Sequence, residues 1–246
     1  MEVFFFMGRY FKEISKFLLF FVIFSVFGVA LSYLSPQIFS DEAAFISADA
    51  KEYTFILDAG HGGEDAGAIG VNGALEKDIN LSVTNILAET LKANGYNVIL
   101  TRTEDKLLYT EEENIKGQRK IHDLKNRLKI AKENPDAIFI SIHMNKFHDE
   151  SCRGMQIYYS KNTEESQRLA MSIQNMVRST LQPYNKRQIK ATDGTVYLLD
   201  NAVGTAILIE CGFLSNTEEC KKLSEKDYQT QLSFQIFCGI MEYIKN

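Results

Sequence analysis

Three short apolar runs, each leading directly into an ionisable residue, constrain this chain more than any other feature. Tyr53–Leu57 (YTFIL) leads into Asp58-Ala59-Gly60-His61, Ala137–Ile142 (AIFISI) into His143, and Ala206–Ile209 (AILI) into Glu210. Their length and branched or aromatic content fit strands buried on both faces rather than alternating surface strands. Between them lie segments with helical spacing. Ile79, Val83, Ile86, Leu87, Thr90 and Leu91 recur on one face before Gly95, and Arg119–Asn134 carries Ile121, Leu124, Leu128 and Ala131 before Pro135. Tyr96–Thr101 and Met155–Tyr159 read as further strands, Glu164–Leu181 and Asp227–Ile244 as further helices. Strands alternating with helices of this length predict an α/β fold: a single domain with a mostly parallel mixed sheet and helices on both faces. In such sheets ligands bind beyond the carboxyl ends of the strands. The three ionisable groups are therefore expected at one edge.

Two imidazoles and a carboxylate make a catalytic zinc shell with a fourth position left for water. His61 sits in Gly60-His61-Gly62-Gly63, where glycines permit a tight turn. Glu76 follows just ahead of the first helix and is the third candidate ligand, with His143. Zinc lowers the pKa of a bound water to about 7, and a further carboxylate is then needed to move protons; Glu210 is the candidate. Each residue also has a plainer reading. A lone histidine after a strand is commonly a hydrogen-bonded structural group, Glu76 can stabilise a helix N-terminus, and Glu210 can pair with a base such as Arg102. Taken together, the four outweigh those readings. His122, inside a helix, and His148, in a polar segment, lack such settings. The chain has no G-x-S-x-G, H-E-x-x-H or Walker A motif.

The order and spacing of Leu57-Asp58-Ala59-Gly60-His61-Gly62-Gly63, Leu75-Glu76-Lys77-Asp78-Ile79-Asn80-Leu81, Leu100-Thr101-Arg102, Ser141-Ile142-His143-Met144-Asn145 and Ile209-Glu210-Cys211-Gly212-Phe213-Leu214-Ser215-Asn216 resemble the zinc-dependent N-acetylmuramoyl-L-alanine amidases. The resemblance covers about residues 53–244. It implies Zn2+ on His61, Glu76 and His143, a catalytic glutamate at Glu210, and hydrolysis of the amide between N-acetylmuramic acid and L-alanine in peptidoglycan. Two positions depart from the family pattern: Ala59, and a position near Thr205, stand where proline is usual. Asn145, next but one to His143, is the candidate substrate-binding residue. Arg127, inside a helix, is expected to be solvated or ion-paired, and Arg102 and Asn216 to be caps or structural partners. The alternatives are another zinc hydrolase on a related sheet, a non-catalytic wall-binding module and an envelope scaffold.

The N-terminus reads as an address. Residues 17–34 form an uncharged run of 18 after Arg9, Lys12 and Lys16, long enough with its flanks to span a bilayer as a helix, with the basic side inside. The expected organisation is a short cytoplasmic segment 1–16, a transmembrane anchor or signal sequence 17–34, a linker 35–50, and a catalytic domain 51–246. An uncleaved anchor is favoured over cleavage near Gly28-x-Ala30, because the apolar run exceeds an ordinary signal h-region. The body is then exported to the cell envelope and stays attached to the membrane. That architecture resembles the spore-cortex, germination-specific amidases, which the resemblance implies strip peptide stems so that muramic-δ-lactam can form. Of the whole-chain charge of −5, the first 35 residues hold three cations against two acids, leaving the body at −6. An acidic body excludes sequence-independent nucleic-acid binding, so peptidoglycan is the expected partner, with an activator protein left open. Four separated cysteines, without a C-x-x-C pair, read as small buried hydrophobes. The acidic segment 103–118 reads either as a loop over the site or as a solvated connection.

Overall fold

The structure is a computed structural model that describes residues 53–245 together with Phe20, Phe24 and Ser25, which are helical. Two compact units divide the chain, Met1–Asp49 and Ala50–Asn246. The expected segments 1–16 and 35–50 and nearly all of the expected span 17–34 lie outside the described residues. Among the described residues no helix is long and apolar enough to cross a membrane.

The second unit is a six-stranded sheet. In chain order its strands are β1 (Thr54–Ala59), β2 (Asn97–Leu100), β3 (Ile138–Asn145), β4 (Gln156–Tyr159), β5 (Lys190–Ala191) and β6 (Ala206–Phe213). Their spatial order is β2-β1-β3-β6-β4-β5. The first four in that order are mutually parallel, and β4 meets β6 antiparallel. The sheet is thus mixed and mostly parallel, as expected. The helices are α1 (Glu76–Ala93), α2 (Arg119–Glu133), α3 (Glu164–Thr180), α4 (Tyr197–Asn201), α5 (Thr217–Ser224) and α6 (Lys226–Lys245). One face of the sheet buries Leu57, Ile140, Ile142 and Ile209 against Val83 and Leu87 of α1, Leu169 and Ile173 of α3, and Leu232 and Ile236 of α6. The other buries Ile56, Phe139 and Leu208 against Leu128 of α2 and Leu198 and Leu199 of α4. Each such side chain is worth roughly 1.5–3 kcal/mol when fully buried, so both faces are held by apolar layers. Cys211 and Cys220 lie in the larger layer, and all four cysteines are free thiols.

Two strands are longer than their apolar runs. The apolar runs alone would place His143 and Glu210 just past the strand ends. Instead β3 continues to Asn145 and β6 to Phe213. The parallel ladder carries on because Met144, Cys211 and Phe213 still have buried places to fill. It does so with a bulge: His143 pairs with Glu210, but Asn145 pairs with Phe213, setting three residues of β6 against two of β3. Helix α2 also departs from expectation. Ile121 is 52% exposed, while Asp123 and Arg127 are buried.

Arg127 is ion-paired, and the pairing is internal. Its guanidinium reaches Asp58 Oδ1 at 2.5 Å and Asp123 Oδ2 at 2.8 Å. Asp58 is fully buried, which alone would raise its pKa, but Arg127 and the hydroxyls of Ser141 (2.6 Å) and Thr101 (2.7 Å) hold it below the usual carboxylate range. Removing one partner of such a pair leaves a buried charge uncompensated. Arg127→Leu is therefore expected to cost about 3–5 kcal/mol of stability, a fall of roughly 10 °C in melting temperature for a domain of this size. Adding Asp58→Asn should recover part of the loss. A loss below about 1 kcal/mol in a urea titration of Arg127→Leu would show that the pair is not what holds β1 to α2.

Candidate metal centre and catalytic site

Past Ala59 the chain leaves the sheet in a turn that presents His61. Gly60 N–H donates to Ile142 O at 3.1 Å, and Gly62 and Asp65 exchange backbone hydrogen bonds at 3.0 Å. His61 itself has φ of +62°, a left-handed conformation that a non-glycine residue adopts at some cost and that clusters at functional sites. Gly60 is needed for space: a Cβ there would sit 2.2 Å from the His143 ring. Gly67 makes similar room, since its Cβ would lie 2.5 Å from Glu76 Oε2.

The sheet edge and the start of α1 bring three of the expected residues together. Ligand atoms of His61, Glu76 and His143 all lie within 4.8 Å of one another. Glu76 Oε1 is 3.2 Å from His61 Nε2 and 2.9 Å from His143 Nδ1. The carboxylate is further oriented by the backbone N–H groups of Ala68 (2.7 Å, on Oε2) and Met144 (3.1 Å, on Oε1) and by Asn80 Nδ2 (3.3 Å). Although Glu76 opens α1, its side chain bonds chiefly outside the helix, to the end of β3, to Ala68 and to His61, with Asn80 the one helical partner. Burial works against its charge, but the bonds to His143 and His61 prevail and hold it far below the ordinary carboxylate range. His61 is desolvated too, yet Glu76 and Asp65 raise its pKa.

These groups suit a metal ion. On the far side of the His61 ring, Nδ1 meets Asp65 Oδ2 at 2.8 Å. A carboxylate there fixes the tautomer that leaves Nε2 free to ligate, the arrangement found behind metal-bound histidines. The set of two imidazoles and a carboxylate matches zinc.

Glu210 lies on β6 in register with His143. It is not a member of the three-residue cluster and does not pair with Arg102. Its Oε2 is shielded from solvent and has no hydrogen-bond partner. Burial, with the charge of Glu76 and against the attraction of His143 and His61, pushes its pKa up to about 7. Asn145 closes β3, half-buried. Its backbone carbonyl accepts from Leu214 at 2.7 Å, and its side-chain amide makes no hydrogen bond among the described residues. Asn216 caps α5, accepting from Glu219 N. His122 lies 3.5 Å from Glu113, and the ring of His148 packs on Phe147; neither is a member of the cluster.

Two arginines support the turn, Arg102 as the structural partner that the sequence suggests. Arg102, buried, donates to the carbonyls of Ala59, Gly60 and Lys77 at 2.7–3.1 Å. Arg127 donates to those of Ala59 and His61. The acidic segment 103–118 is tied beside the His61 turn at its start and largely exposed over the rest. Asp105 accepts from Gly63 N at 2.7 Å and from Lys77 Nζ at 2.6 Å, and Leu107 is buried. Asp65 carried a signal, standing four residues after His61 inside the same turn. Its removal in Asp65→Ala should lower zinc affinity about 10–100-fold with the fold retained, and Asp65→Asn should lose less. A competition titration against a chromogenic chelator reads both, and unchanged affinity in Asp65→Ala would remove Asp65 from the site.

The family profile described as N-acetylmuramoyl-L-alanine amidase matches residues 55–242. The germination-specific N-acetylmuramoyl-L-alanine amidase of Bacillus subtilis is 36% identical over 187 residues, covering 76% of this chain and 78% of that protein. Among solved structures, the CwlD amidase from Clostridioides difficile, in complex with the GerS lipoprotein, superposes with a TM-score of 0.75 at 40% identity, covering 78% of this chain and 98% of that one. The amidase AmiC2 of Nostoc punctiforme gives a TM-score of 0.67 at 26% identity over 79% of this chain and 98% of that one. The profile spans nearly all of the folded unit and the identity extends along it, so the chain belongs to the N-acetylmuramoyl-L-alanine amidase family and is a peptidoglycan hydrolase.

Proposed function

We propose that this chain is a zinc amidase of the spore cortex, with His61, Glu76 and His143 holding the metal and Glu210 moving the protons. The observation that carries the reading is Glu210: a shielded carboxylate with an unpartnered Oε2, beside a three-ligand cluster and not part of it. Zinc, when bound, supplies a water acidified to near neutrality and polarises the scissile carbonyl. Glu76 stays anionic because both imidazoles and two backbone N–H groups face it. Asp65 holds His61 in the ligating tautomer. Glu210 Oε2 accepts the proton lost by the attacking water and returns it to the departing nitrogen. The C–N bond then breaks to give a muramic carboxylate and the free amino group of L-alanine. A pKa near 7 suits a group that must both take and give a proton. Asn145, whose amide is uncommitted, is proposed to bind an amide of the substrate.

Glu210→Gln tests this role, because it preserves size and removes the base. The full-length variant should keep its zinc and melting temperature and lose at least about a hundredfold in release of L-alanine amino termini, roughly 2.7 kcal/mol of barrier. Near-normal turnover by the zinc-loaded variant rules out the proposed role, and loss of zinc with activity makes Glu210 a ligand instead.

The cortex setting draws on the similarity to the germination-specific enzyme of B. subtilis. CwlD was solved with a lipoprotein, and we take an exported lipoprotein as the class of activator. Residues 17–34 are proposed to anchor the protein with its body outside the cytoplasmic membrane. Protease added to intact protoplasts should then remove the body. Protection until lysis would reverse the orientation.

A further inference from the structure

Arg187 stands over the catalytic face without a counterion. Its Nε donates to Arg153 O at 3.0 Å and its Nη1 to Gln156 Oε1 at 3.2 Å, both neutral acceptors. The guanidinium carbon lies 4.3 Å from the centroid of the Phe213 ring. Among the described residues no carboxylate forms a salt bridge with it, and Nη2 donates to nothing. The side chain is only half-buried. A planar cation held on three sides, with one edge free, is the form in which arginine recognises a carboxylate.

The sheet places this cation beside the reaction centre. Gln156 is the direct cross-strand neighbour of Glu210, and neighbours in register project to the same face. Phe213 would face away from Glu210 in a regular strand, being three residues on. The bulge corrects this: Phe213 pairs with Asn145, two residues from His143, so it returns to the face of His143 and Glu210. Both supports of Arg187, Gln156 beneath its edge and Phe213 beneath its plane, therefore belong to the face that carries Glu210. Tyr158 is consistent with this placement. Burial and the charge of Glu210 raise its phenol, while Arg187 opposes them, so both charges act on one group.

Resting on the amidase reading above, we infer that Arg187 is a specificity-determining residue that binds a free carboxylate of the peptide attached to the scissile amide. Stem peptides offer two such groups close to the cut: the α-carboxylate left free when glutamate is joined through its side chain, and the carboxylate of the third residue. The recognised chemistry is the same for both, and amidating each in turn separates them.

The experiment uses the full-length zinc-loaded chain and three muramoyl tripeptides ending in lysine: unmodified, amidated at the glutamate α-carboxyl, and amidated at the C-terminal carboxyl. Wild type should lose about tenfold in kcat/KM on one of the two amidated substrates, the size expected for one charge-assisted contact. Arg187→Gln should lose about the same factor on the unmodified substrate and become indifferent to that amidation, with zinc content and melting temperature unchanged. Arg187→Lys keeps the charge without the planar fork and should retain part of the discrimination that Arg187→Gln loses, which separates charge recognition from packing on Phe213. Equal losses by Arg187→Gln on all three substrates would make the residue a structural support and overturn the inference, as would wild-type indifference to both amidations. Failure of wild type to release L-alanine amino termini from intact peptidoglycan as well as from all three tripeptides, with a lipoprotein activator present, would instead count against the amidase reading on which the inference rests.

Discussion

The site depends on a turn whose carbonyls have no strand to bond. After Ala59 the chain leaves the sheet, and the oxygens of Ala59, Gly60 and His61 are stranded at a buried edge. Unpaired buried carbonyls are expensive, and this sequence satisfies them with two arginines. Arg102 reaches Ala59 and Gly60, and Arg127 reaches Ala59 and His61. The Arg127 guanidinium meets its counter-charge in Asp58 and Asp123, while Arg102 is held by neutral carbonyls. A left-handed His61 persists because this frame determines the backbone on both sides of it. The metal-facing geometry is therefore a consequence of charge placed under the turn, where no metal contact exists.

The second half of the site follows from strand register. Adjacent strands lie about 4.8 Å apart, and β3 and β6 are aligned so that His143 and Glu210 are direct neighbours. A slip of one residue would send Glu210 into the apolar layer beside α1 and α3. Ile209, one step back, is packed in that layer, so a slip of β6 would carry it out while burying the carboxylate. Hydrophobic burial on one face thus fixes the chemistry on the other.

How much of this was legible in the sequence follows the same division. Apolar runs and helical spacing exposed β1, β3, β6 and the longer helices, because burial leaves a periodic trace. The metal cluster and Glu210 were legible because each follows such a run or opens such a helix. The continuation of β3 and β6 was not, since Glu210-Cys211-Gly212-Phe213 has the composition of a turn and its strand character comes from pairing with β3. Short elements such as β5 and α4 were missed because a strand of two residues or a helix of five has no period to read. Arg127, inside a helix, reads only as solvated or ion-paired, because its partnership with Asp58 spans 69 residues and is set by how α2 crosses the sheet.

Glu76 and Glu210 show how one site gives the same functional group two characters. Both carboxylates are removed from bulk water, which by itself favours the neutral acid. Around Glu76 the chain gathers donors: backbone N–H groups from Ala68 and Met144, the amide of Asn80 and two imidazoles. That charge is held far below the ordinary carboxylate range, as suits a metal ligand. Around Glu210 it gathers none, leaving Oε2 without a partner. Desolvation then dominates and the proton affinity rises toward neutrality. The empty hydrogen-bonding position on Glu210 is therefore as much a part of the site's construction as the filled positions on Glu76. Pairs of carboxylates driven apart in this way mark a division between a group that holds charge and a group that transfers it.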